Sequence, residues 1–189
     1  MAIAYLNPAS ATTNTSWNSS NLSHLAQGQT SNNWTTTGNG ANLYCTLSDF
    51  DNTGVASIDS IQIILVGLFG DRLGAWTAKT KIVDTSTSST YYSENFSILA
   101  ARSVDTYYGT VRTTSDGSTA WTDGDLDDIS LDVYSSDCGV LGLMQQFYLK
   151  VVYTEATGYG HAVSSVPAAN ITSVKGVATA DIGKIIGVD

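Results

Sequence analysis

Between Asn42 and Thr154 the chain is a series of short runs in which apolar or β-branched residues alternate with polar ones. Each run is closed by a cluster of Gly, Asn, Asp, Ser or Thr. Alternation with a period of two suits half-buried strands, and no long segment carries the capped 3.6-residue period of a helix. The runs are Asn42–Leu47, Ser57–Leu68, Trp76–Val83, Tyr91–Leu99, Val104–Thr113, Leu126–Tyr134 and Leu143–Thr154. Ser57–Leu68 is apolar enough to lie at the centre of a sheet. In the last run Phe147, Leu149, Val151 and Tyr153 share one face. About seven or eight such strands at this spacing predict an all-β fold, an antiparallel β-sandwich or jelly roll.

The flanks read differently. Residues 1–33 are polar and turn-prone, which predicts an irregular N-terminal arm. Trp17, Leu22 and Leu25 are its candidate anchors, and Ser20–Ala26 its best short helix. The sandwich is expected over 34–156. Gly158-Tyr-Gly160 and Pro167 then open a linker, and 157–189 form a linker plus a short C-terminal docking tail. That tail is apolar, glycine-punctuated and too short to bury itself. Ile171, Val174, Val177, Ile182, Ile185 and Val188 are its candidate interface residues. Exposed apolar surface of that kind is costly, so the tail docks on a neighbouring copy, on a partner or on its own sandwich.

Composition narrows the partners. Charged residues make up 13% of the chain, about half the usual share. Lys and Arg total 8 against a net charge of −9, which argues against nucleic acid, since such binders need a clustered basic surface. No stretch approaches a membrane span. Met1–Pro8 lacks the basic start and apolar core of a secretory signal. Asn-X-Ser/Thr triplets, as at Asn95 and Asn170, are then composition rather than glycosylation. Cys45 and Cys138 lie in or beside apolar runs, which suits two buried thiols, while a bridge between them stays open.

The catalytic inventory is thin, and no catalytic residue, metal site or cofactor is expected. His24 falls in the arm and His161 in the linker, so neither is framed as a base. Two Cys and two loop His do not make a zinc site. Asp123-Gly-Asp125-Leu-Asp127-Asp128 is the densest carboxylate cluster. It misses the EF-hand register, because Asp128 stands where Gly is needed. The loop starting at Asp49 has Gly54 at that position but lacks later ligands. Acidic turns are more often solvated turn formers. Trp34, Trp76, Trp121 and the tyrosines offer material for a sugar platform, but in a small sandwich most such residues are core or interface. In Tyr91-Tyr92 and Tyr107-Tyr108, strand alternation predicts one exposed ring per pair.

Two stretches carry a family resemblance. Ser118–Val133, with Trp121-Thr122 and Leu126, followed by Gln146–Tyr153, resembles the closing strands of jelly-roll-like virion proteins of tailed phages. The tail, with Val174-X-Gly176-Val177 and Ile182-Gly183-Lys184-Ile185, is similar to short terminal repeats on such proteins. The resemblance implies a structural, non-enzymatic role, with capsid decoration or cementing first and a tail, neck or fibre component next. It implies a homo-oligomer contacting a major capsid or other virion protein, made in the host cytoplasm and housed in the virion. A carbohydrate-binding β-sandwich module is the rival reading, so a glycan partner stays open.

Overall fold

The computed structural model describes residues 1–13, 34–36, 41–69, 76–98, 105–136, 142–156, 173–174 and 177–178. Among them, twelve strands and one short helix form two five-stranded sheets and a small hairpin. β1 is Ala2–Leu6, β2 Pro8–Thr13, β3 Trp34–Thr36, β4 Ala41–Leu47, β5 Val55–Phe69 and β6 Trp76–Asp84. β7 is Ser89–Ile98, β8 Asp105–Tyr108, α1 Asp123–Asp127, β9 Ile129–Ser136 and β10 Gly142–Glu155. β11 (Ser173–Val174) and β12 (Val177–Ala178) pair with each other.

The first sheet runs β1-β10-β5-β8, with β3 also on β10, and the second runs β2-β4-β9-β6-β7. Every pairing is antiparallel. Alternation along the strands supplies the core between the sheets. Ile61, Ile63 and Leu65 of β5 meet Phe147, Leu149 and Val151 of β10 on one side. Leu43, Cys45, Ala78, Ile82, Leu131 and Val133 face them from the second sheet. Burying a large apolar side chain contributes roughly 1.5–3 kcal/mol before ordering costs. The antiparallel β-sandwich is therefore the fold, as the alternation predicts.

The N-terminal boundary needs correction. Residues 2–13, expected within the irregular arm of 1–33, are edge strands of both sheets. The chain pairs with β10 as β1, turns at Asn7 and continues as β2 on β4. Two bonds hold that corner: Asn7 N–H donates to Ser48 Oγ (3.1 Å) and Ser48 N–H to the Asn7 carbonyl (2.8 Å). The sandwich thus begins at residue 2 rather than 34. Residues 14–33, with the expected helix and its anchors, lie outside the described residues.

The opposite side of the sandwich is closed. Past β8, Gly109 N–H donates to the Ile63 carbonyl, and Arg112 bridges Ile61. Glu94 of β7 reaches across to accept from Thr110 N–H (2.8 Å). Tyr92 Oη donates to the Thr114 carbonyl (2.6 Å) and accepts from Gly117 N–H (3.1 Å). The Arg112 guanidinium stacks 4.4 Å from the Tyr92 ring centre. The two edge segments are thereby stitched into a seam.

Two further local readings change. Leu126, read as the start of a strand, is the buried residue of α1, and the strand begins at Ile129. Thr122 caps that helix: its Oγ1 accepts from Asp125 N–H, and the Asp125 carboxylate accepts from Thr122 N–H. This reciprocal box starts a helix wherever the next residues permit. Tyr91 and Tyr92 both lie half-buried against Trp121, contrary to the alternation. The register slips there, with Ile82 opposite Tyr92 and Val83 opposite Thr90, so Tyr91 is the extra residue of a bulge.

Candidate functional site: the outer face of the first sheet

The outer faces of the two sheets differ in character. On the second sheet the outward row Tyr44, Asp132, Lys81 mixes an exposed ring with charge. Lys79 lies 5.8 Å from the Tyr134 ring centre on the same face. Burial pushes the Asp132 carboxyl up, opposed by its Ser130 hydrogen bond and the Lys81 charge.

On the first sheet the outward positions mix aliphatic and aromatic side chains with two glutamines and one lysine. β5 alternates Gln62, Ile64 and Val66 outward, and β10 alternates Gln146, Tyr148, Lys150 and Val152. Register aligns Tyr148, Ile64 and Tyr108 across three strands, while Tyr5 of β1 stands opposite Lys150. Tyr5 packs edge-on against Tyr148, ring centres 5.6 Å apart. Tyr148 and Ile64 are buried, whereas Tyr5 is 39% and Tyr108 67% exposed. Ile3, 51% exposed, extends the face along β1. Three strand spacings separate β1 from β8, roughly 14 Å.

Chemically this face offers phenol rings with few charges. Burial, then the neighbouring Tyr5 and Tyr108, push the Tyr148 phenol up, so its hydroxyl stays protonated. Gln62 Nε2 donates to the Gly109 carbonyl (2.8 Å), which fixes its amide beside Ile64. Among Gln146–Val152, Gln62–Val66 and Thr106–Tyr108, Lys150 is the one charged residue.

The acidic loops are occupied by the fold itself. Asp123 Oδ2 accepts from Asn52 Nδ2 (2.6 Å), and Asp125 accepts from Tyr91 Oη (3.1 Å) and from Thr122. Asp84 and Asp116 each head the same sequence, Asp-X-Ser-Thr, and each makes the same four bonds. One carboxylate oxygen accepts from the Ser and Thr N–H groups and the Ser hydroxyl, and the other from the Thr hydroxyl. Among the described residues no three His, Cys, Asp or Glu group as metal ligands do.

The sequence-derived candidates fall unevenly. Val174 and Val177 are brought opposite each other in the β11–β12 hairpin, so part of the tail pairs with itself. Ile171, Ile182, Ile185 and Val188 lie outside the described residues, as do His24, His161 and Cys138. Trp121 is core, and its Nε1–H donates to the Arg112 carbonyl. Tyr108 is the exposed ring of its pair, as alternation predicts. Nothing in the sequence singles out Tyr5 and Tyr148 among the tyrosines, because only the strand order β1-β10-β5-β8 puts them beside Tyr108. No helix among the described residues is long and apolar enough to cross a membrane.

The described residues thus form a two-sheet antiparallel sandwich whose first sheet carries exposed tyrosines, Tyr5 and Tyr108, on either side of a buried centre of Ile64, Val66, Gln146 and Tyr148. No protein-family model matches the chain, and no curated protein matches it. Solved structures similar to it include truncated AlyQ with CBM32 and alginate lyase domains, at 14% identity and a TM-score of 0.45. That match covers 84% of this chain and 35% of the other. The enzymatically active domain of bacteriophage CBA120 tailspike protein 4 matches at 10% identity and TM-score 0.44, over 80% of this chain and 19% of that one. A CBM36-1 domain of a multidomain xylanase, from the hindgut metagenome of Trinervitermes trinervoides, matches at 15% identity and TM-score 0.40. There the cover is 82% of this chain and 100% of the other. The chain thus spans about a third of the first structure and under a fifth of the second.

Proposed function

We propose that this chain is a non-catalytic binding module that contacts neutral glycans through the outer face of its first sheet. The observation that supports it is the pair of exposed rings, Tyr5 and Tyr108, flanking the buried Tyr148 and Ile64 on one nearly uncharged face. A pyranose ring presents C–H groups on its face and hydroxyls at its rim. Tyrosine matches both, with an apolar ring and a polar tip. A face short of charge suits a polyhydroxyl ligand better than a phosphate, which calls for Arg or Lys.

The setting we propose is a virion, on the resemblance of Ser118–Val133 and Gln146–Tyr153 to closing strands of phage structural proteins. A tail- or fibre-associated position suits a glycan-facing surface. Capsid decoration, the first expectation from the sequence, depends on tail residues of which four of six lie outside the described residues.

The test is a glycan array followed by calorimetric titration of the strongest neutral oligosaccharide. Tyr5→Ala and Tyr108→Ala each weaken binding about tenfold, about 1.4 kcal/mol. Tyr44→Ala, on the other sheet, leaves it unchanged. Absence of any glycan binding, or equal loss with Tyr44→Ala, overturns the reading.

A further inference from the structure

Among the described residues the sandwich has one stitched side and one side that ends on an unpaired strand edge. At the stitched side Glu94 and Tyr92 tie β7 to the segment after β8. At the other side, among the described residues, β1 has a strand neighbour on one flank only. Natural edge strands are guarded by charge, proline, bulges or brevity. β8 is short and opens on Asp105, and β2 opens on Pro8 with a register slip after it. β1 has no such guard. Ala2-Ile-Ala-Tyr-Leu6 carries no charge and no proline, and its register with β10 is unbroken over all five residues. Its outward side chains, Ile3 and Tyr5, are both exposed apolar groups.

We infer that β1 pairs antiparallel with β1 of a second copy, joining the two first sheets into one continuous sheet across a two-fold axis. The register follows from strand parity. Residues directly opposite in an antiparallel pair lie on the same face, so outward residues must meet outward residues. A two-fold axis through Ala4 meets that condition and uses the whole strand. It sets Ala2 opposite Leu6, Ile3 opposite Tyr5 and Ala4 opposite Ala4. Each Tyr5 ring then covers Ile3 of the second copy, and aromatic with β-branched pairs are among the favourable cross-strand contacts. An axis through Ile3 also satisfies parity, but it leaves Leu6 unpaired and sets Ile3 against Ile3.

Size sets the strength. A five-residue strand is about 17 Å long, and its junction falls short of the roughly 800 Å² per partner of a standard interface. The dimer is therefore reversible and concentration-dependent. It is isologous, so it closes at two copies and does not propagate as a filament. Tyr108 lies three strands away and stays clear of it.

Sedimentation velocity from about 1 to 200 μM, a span chosen for a weak interface of this size, reads the equilibrium. The expected result is a monomer–dimer transition whose dissociation constant rises at least tenfold in Ile3→Lys, a substitution at an exposed site that circular dichroism shows folded. Cysteine cross-linking in a Cys138→Ser background reads the register. Ile3→Cys combined with Tyr5→Cys gives an intermolecular disulfide, and Ile3→Cys alone gives none. A monomer at every concentration, a dimer indifferent to Ile3→Lys, or cross-linking by Ile3→Cys alone overturns the inference. The glycan reading stands or falls separately, on Tyr108→Ala.

Discussion

The Glu94 carboxylate occupies the space where a side chain on Gly109 would begin. A Cβ built at Gly109 would overlap Glu94 Oε1, well inside van der Waals contact, and would stand 3.0 Å from Glu94 Cδ and 3.2 Å from the Ile63 carbonyl. The missing side chain is what lets β7 reach the segment after β8 and close the sandwich there.

Gly109→Ala should therefore evict the carboxylate and break its bond to Thr110 N–H. Hydrogen bonds to charged groups are worth about 1.5–3 kcal/mol, so a loss of that size is expected in urea unfolding. Glu94→Ala should cost about as much alone, and the double variant should cost less than the sum, because both remove one contact. Additive losses would contradict the coupling.

Acid should loosen the two Asp-X-Ser-Thr turns. Four hydrogen bonds hold the Asp84 carboxyl down at about 2, the Ser86 and Thr87 side chains foremost. Asp116 is depressed too, chiefly by the backbone N–H groups of Thr119 and Ser118. A carboxyl depressed in the fold stabilises it above the unfolded value of about 3.9. That stabilisation fades as pH falls through the folded value. Thermal unfolding should show the melting temperature dropping between about pH 4 and 2. Asp84→Asn with Asp116→Asn should start lower at pH 7 and drop less across that window. Parallel curves for wild type and variant would refute the assignment.

Cys45 should be silent to thiol reagents in the native protein. It is fully buried, and burial first, with the nearby Asp132 charge, pushes its thiol up to about 12. Thiolate is the reactive form, so at pH 8 both access and ionisation are lacking. A Cys138→Ser variant titrated with a chromogenic disulfide should release no colour when folded and one equivalent in denaturant.

Leu126 anchors α1 in the core, with 1% of its surface exposed. Leu126→Ala should cost about 2–5 kcal/mol of unfolding free energy. Thr122→Ala should cost about 1 kcal/mol through loss of the cap. A smaller loss at Leu126 than at Thr122 would mean that the turn, not the packing, holds this segment.

Period and chemistry made the central strands legible. β5 and β10 carry long apolar runs that alternate regularly over Ile61–Val66 and Gln146–Val152, so those core faces follow from sequence, whereas the register shifts between Met144 and Gln146 and between Val152 and Tyr153 do not. β1 and β2 were not legible. Alanines at positions 2, 4, 9 and 11 give little contrast between faces, and Asn7-Pro8 marks a sheet-crossing corner that reads as a loop. Leu126 matches a strand pattern by its side chain, but the reciprocal Thr122/Asp125 box beside it starts a helix instead. The bulge at Tyr91 arises from how β7 meets β6, which no pattern within β7 records. The candidate face was half legible: parity exposes Tyr108, but only the strand order gives it Tyr5 and Tyr148 as neighbours.

The pairing of Ala2 with Tyr153 also has a consequence for biosynthesis. A ribosome adding about 5–20 residues each second needs roughly 8–30 s to pass from one partner to the other. Through that interval the nascent uncharged segment has no native strand to join. Chaperone occupancy early in translation, and sensitivity to anything that slows elongation past Tyr153, follow from where this one ladder begins and ends.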